Sequence, residues 1–199
     1  TQEDSPMDPP NAYEEPGKVE MKKEEMSDSI KTFMHEHEEV LKVIDEFEKG
    51  IVAYKNNGYN LTKEINTSFG NFFKNLDEEI LPHNRKEEKV LFPVLQKKLI
   101  ASGEHSKGEK PVTAIDIMED DHVKFIQLGA LAFNLYGLAT RMVDAQARIF
   151  VLDTAYETSR ELVELLKLHI YREDVTLFPI AQKLISKEEW DALQIEMNK

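Results

Sequence analysis

The sequence predicts an all-α fold: a four-helix bundle built from two helical hairpins, followed by a short C-terminal helix. Three observations predict it. Apolar residues recur at three- and four-residue steps over long stretches, Gly, Asn and Pro clusters separate those stretches, and the second half of the chain repeats the first. No strand-like alternation competes with this pattern.

Residues 1–26 fall outside the periodic region. They hold four of the eight prolines and no apolar repeat, the composition of a disordered acidic tail, so the bundle is placed over 27–199. Ser27 is the expected cap of a first helix whose inward face is Ile30, Phe33, Met34, His37, Val40, Leu41, Ile44, Phe47 and Ile51. Asn56, Asn57 and Gly58 suit a left-handed helix end. A second helix starts around Leu61 to Glu64 and turns Ile65, Phe69, Phe72, Phe73, Leu76, Ile80 and Leu81 inward. Pro82 should kink it, and Pro93 should break it after about Phe92. The polar segment 101–111 reads as the connection between hairpins. A third helix is expected from about Thr113 to Met142, and a fourth within 143–178. A capping box of Ser186 and Glu189 should then open a short helix containing Trp190.

The internal repeat is the strongest organising signal. His83 begins HNRKEEKVLFPVLQKKLI and His169 begins HIYREDVTLFPIAQKLIS, an offset of about 86 residues that suits duplicated hairpins. The His, the Glu four residues on, Leu-Phe-Pro, Gln and Lys coincide. The first helices of the two halves match more weakly, through EHEEVLKV around His37 and DHVKFIQL around His122, each His preceded by an acidic residue. From His37 to the first turn and from the second helix start to His83 the chain travels roughly 30 Å each way at ~1.5 Å per residue, so these histidines return to one level. The second hairpin does the same for His122 and His169 within the uncertainty of helix ends.

Composition narrows the chemistry that this level can carry. With no Cys, thiolate ligation, iron–sulfur clusters, disulfides and thiol nucleophiles are excluded, and any metal must rest on His and carboxylate. A net charge of −13 disfavours nucleic acid and anionic membranes as partners. There is no membrane span and no signal-peptide pattern, so the expected compartment is the cytoplasm, with the periplasm as the alternative because the chain opens on Thr. His83 with Glu87, and His169 with Glu173, are four apart and project from one helix face, so each pair can chelate. Adding His37 and His122 gives four imidazoles and two carboxylates, enough for two metals if the carboxylates bridge. This donor set suits iron, manganese or zinc.

The phrase H-x-x-x-E-E-x-x-L-F-P over 83–93, with its second copy from His169 and the upstream acidic-His pairs, resembles the signature of the hemerythrin-like HHE cation-binding domain over about Ser27 to Lys187. The resemblance implies an up-down-up-down bundle and two irons, with an oxo or hydroxo bridge, spanned by Glu87 and Glu173 and held further by His37, His83, His122 and His169. It departs from the oxygen carriers of that family. Their fifth histidine, four residues beyond the third-helix histidine, is Ile126 here. Their Asp five residues beyond the fourth-helix histidine has a counterpart in Asp174. Glu173 is preferred over Asp174 because four residues rotate a side chain by about 40° and five by about 140°. The four-His, two-Glu set is similar to relatives implicated in repairing iron centres after nitric oxide or oxidative stress, although the Cys-containing N-terminal module of those proteins is absent.

The function expected from this reading is a di-iron protein that binds or reduces oxygen, peroxide or nitric oxide with an unidentified electron donor. An iron or oxygen sensor, or an iron-supply protein without turnover, is the alternative. His35 and His105 are expected to be solvent-facing bystanders, and Glu88 to sit beside the site or at the surface. Glu36 and Asp121 are expected at the surface, Tyr171 in the core, and the Leu-Phe-Pro phrases to end helices.

Overall fold

The computed structural model describes residues 21–197. Residues 1–20 of the expected tail lie outside the described residues. A short turn at Lys23–Glu25 brings in Met26, which is buried, and α1 runs over Asp28–Asn56. The helix α2 covers 63–102, α3 covers Ala114–Ala139, α4 covers 145–184 and α5 covers Lys187–Met197. Among the described residues every regular element is helical, and no helix is long and apolar enough to cross a membrane.

Each helix starts where a side chain accepts an otherwise unbonded backbone N–H. Ser27 Oγ accepts from Ile30 N–H at 3.3 Å, and Thr62 Oγ1 from Ile65 N–H at 3.3 Å. Thr113 Oγ1 accepts from Ile115 N–H at 3.1 Å, while Asp144 Oδ1 accepts from Ala147 N–H at 2.7 Å. The capping box of the last helix is reciprocal. Ser186 N–H donates to Glu189 Oε2 at 2.9 Å, and Glu189 N–H donates to Ser186 Oγ at 3.3 Å. At the end of α1, Gly58 and Tyr59 take positive φ values of 70° and 61°, the left-handed termination that Gly and Asn at this point foretold.

Pro93 and Pro179 behave differently from the expectation. Neither Leu-Phe-Pro phrase ends a helix: α2 continues past Pro93 to Ser102, and α4 past Pro179 to Leu184. Proline lacks an N–H and its ring crowds the carbonyl four residues back. The helix accommodates both by widening to π geometry just before the ring. Leu81 N–H donates to Leu76 carbonyl, Phe92 N–H to Glu87 carbonyl and Phe178 N–H to Glu173 carbonyl, each five residues back. The widened turns open at residues 76, 87 and 173, each six before Pro82, Pro93 and Pro179. Proline therefore reshapes these helices instead of stopping them.

The described chain divides into two compact units. One comprises the residues up to His35, Arg85–Glu119, and those from Leu168 onward; the other comprises Glu36–Asn84 and Asp120–Lys167. In the first, Ile30 and Phe33 pack with Leu91, Phe92, Leu95 and Leu99, with Ile115 and Met118, and with Leu177 and Phe178; Trp190 and Leu193 of α5 cover this core. Phe33 stacks on Phe178 with ring centroids 5.9 Å apart.

In the second unit Phe47 is fully buried and stacks on Phe72 at 3.9 Å, with the edges of Phe69 and Phe73 against it. Tyr136 tilts against Phe69 at 4.8 Å and its hydroxyl meets Ser159 Oγ at 3.1 Å; burial pushes the Tyr136 pKa up to about 12. Lys167 Nζ bonds both Asp45 and Glu48 at 2.7 Å, and these bonds raise its pKa.

Because Phe47 packs against three other rings, Phe47→Ala should destabilise the chain by about 3–5 kcal/mol in urea unfolding, with little loss of helix at zero denaturant.

Candidate metal centre

His37 faces inward because it lies on the stripe that buries Phe33, Val40 and Ile44, four residues before it and three and seven after. His83 and Glu87 share a face of α2, and His169 and Glu173 share a face of α4. His122 lies on α3, on the same side as the fully buried Phe125 and Met118. All six residues are buried, none more than 6% exposed, and both glutamates are at 0%.

These six residues form two overlapping clusters. One ligand atom each from His37, His83, Glu87 and Glu173 all lie within 4.8 Å of one another, and so do one each from Glu87, His122, His169 and Glu173. Two imidazoles are private to each cluster and both carboxylates are common to both. Opposed ligands around a first-row metal with bonds of 2.0–2.2 Å stand about 4.2 Å apart, a spacing of the same order as these clusters. His37 Nε2 and His83 Nε2 are 3.0 Å apart, the separation of two ligands at right angles about a metal ~2.1 Å away. His169 Nε2 lies 3.3 Å from Glu173 Oε1.

The donor chemistry fits a metal pair. Two carboxylates lie at zero exposure and within 4.8 Å of each other, a poorly solvated place in which cations among them would offset the cost of burial. Four imidazoles complete a set with no thiolate, the combination that suits iron, manganese or zinc.

Glu36 corrects its expected place at the surface. Its Oε2 is 2.7 Å from His83 Nδ1, and the carboxylate is only partly exposed. A neutral His83 that donates its Nδ1–H to Glu36 presents the lone pair of Nε2, the atom facing His37, towards the cluster. Asp121 is likewise buried, 3% exposed, with Oδ1 3.8 Å from Lys124 Nζ. The signal for both was in the sequence: an acidic residue stands immediately before the first-helix histidine in each half.

Two further expectations change. Ile126 is 53% exposed, so it does not occupy an inward ligand position, and its identity says nothing about how open the centre is. The inward residue one turn beyond His122 is Phe125, whose ring centroid lies 6.0 Å from that of His122. Tyr171, expected in the core, is exposed. His35, Glu88 and His105 are exposed, and Asp174 is partly buried but belongs to neither cluster.

A search of protein-family models gave no match to this chain, and a search of curated proteins gave none either. The geometry makes its own prediction about Glu36. Glu36→Ala should weaken metal binding by about 10–100-fold in chelator competition, with helix content unchanged, whereas His35→Ala and His105→Ala should leave affinity as it is.

Proposed function

We propose that this chain is a hemerythrin-like di-iron protein, an up-down-up-down four-helix bundle that binds or reduces oxygen, peroxide or nitric oxide. The observation that carries the reading is the sharing of Glu87 and Glu173 by two histidine pairs at zero solvent exposure. His37 and His83 would hold one iron, His122 and His169 the other, and the two carboxylates would span both.

When bound, a pair of irons supplies two electrons and open coordination positions for a small ligand. The chain's own contribution is positional. Glu36 fixes the tautomer and orientation of His83. Leu91 and Leu177, each four residues beyond a glutamate and fully buried, continue its helix face and keep bulk water from the carboxylates on that side. Four imidazoles and two carboxylates set in advance reduce the reorganisation needed to hold the metals. Manganese or zinc would fit the same donors, and zinc, which has no redox change, would not support the redox reading.

A second reading, an iron or oxygen sensor or iron-supply protein, is supported by the burial of all six donors. Metal loading should then stabilise the fold strongly, and a partner could respond to that state.

Elemental analysis should find about two irons per chain after anaerobic reconstitution, with the absorption of a bridged pair on oxidation. No bound iron would remove the proposal altogether. Stopped-flow mixing of the reduced protein with oxygen, peroxide or nitric oxide should give a spectral change within the reaction time of a redox centre. Metal without reaction, together with protection from limited proteolysis on loading, would favour the sensor. Glu173→Ala should abolish pairing of the two irons.

A further inference from the structure

We propose that the solvent-facing side of α3 is a self-association surface, on which a second copy of this chain packs antiparallel about a two-fold axis near Ala130. Between Lys124 and Arg141 there is no charged residue, although 32% of the chain is Asp, Glu, Lys or Arg. The uncharged segment is not hidden by the fold. Val123, Ile126, Ala130, Phe133 and Gly137 are all exposed, with Val123 at 54% and Phe133 at 59%. They recur at alternating steps of three and four, the seam spacing of helices that pack in pairs. A solvated helix carries charged side chains on such a face. This one carries apolar and small ones.

The surface fits a second copy of this chain for three reasons. The first is charge. Two chains of −13 repel in most orientations, and the uncharged stripe lets them meet without opposing carboxylates. Glu119 and Arg141 lie eleven residues before and after Ala130, so an axis there sets the acidic end, Glu119 and Asp120, level with Arg141 of the second copy.

The second reason is shape and area. A Cβ built at Gly137 would meet nothing within 4 Å, so Gly137 and Ala130 leave room for a backbone to approach. The exposed apolar side chains of α3 leave on the order of 400 Å² in water, in the range of the largest apolar patch of a monomer, which is often functional. Ile149 and Phe150, at the start of α4, are exposed as well. The third reason is that residues 1–20 offer no run of apolar side chains to cover the stripe in place of a second copy.

Sedimentation of the full chain at about 100 μM should give twice the 23.0 kDa chain mass, and the double variant Ile126→Glu, Phe133→Glu should sediment at one chain mass with unchanged helix content. A wild-type monomer at that concentration, or a dimer that survives both substitutions, would overturn the proposal. So would a monomer that floats with neutral phosphatidylcholine vesicles, which would assign the face to lipid.

The chain has no cysteine, so Ala130→Cys supplies a reporter that keeps every other residue of the seam. Mild oxidation should link most chains in pairs through this residue, because a residue on a two-fold axis meets its own copy. The exposed control Glu39→Cys, on α1, should stay unlinked. Equal linkage of the two would count against the interface whether or not the double variant folds.

Discussion

Two fully buried carboxylates held in common by two pairs of imidazoles are the constraint on which the rest of this molecule depends. Each ionised glutamate costs several kcal/mol to take out of water, and placing the two within 4.8 Å of one another adds to that cost. Cations between them offset both penalties, and few other arrangements do. The four histidines surround the glutamates at the level where a metal pair would need them. A metal bound there would couple its occupancy to fold stability, and binding free energy at this centre would also be folding free energy.

The large features of the structure were legible because their physics is local. The three- and four-residue steps give the long helices, and side-chain acceptors at Ser27 and Ser186 set two of their starts. His83 with Glu87 and His169 with Glu173 could be paired from spacing alone, since residues four apart share a helix face. The repeat then supplied His37 and His122, which no local rule would single out from other buried histidines.

What was not legible depends on non-local accommodation. Helix interiors normally reject proline, and the sequence does not announce that a widened turn will absorb it. Glu36 reads as a surface residue of α1 until α2 is placed beside it, because its partner His83 lies 47 residues away in the chain. Ile126 stands four residues from a buried histidine and Phe125 three. Spacing permits either to face inward, and packing selects Phe125. Burial of Asp121 likewise emerges only once neighbouring helices surround it.

The widened turns tie two motifs into one mechanical unit. Each glutamate that serves both clusters is the first residue of a π turn, and the carbonyl that accepts the five-residue bond is its own. The proline six residues later is the reason that bond replaces the ordinary one. Adding one residue between them would displace everything beyond by about 100° around the helix axis, turning the core-facing Leu-Phe of each phrase away from its partners. A homologue could thus keep all six donors and still lose the centre through a single-residue length change. The distance from glutamate to proline is for this reason a sharper mark of a working centre than the ligands by themselves.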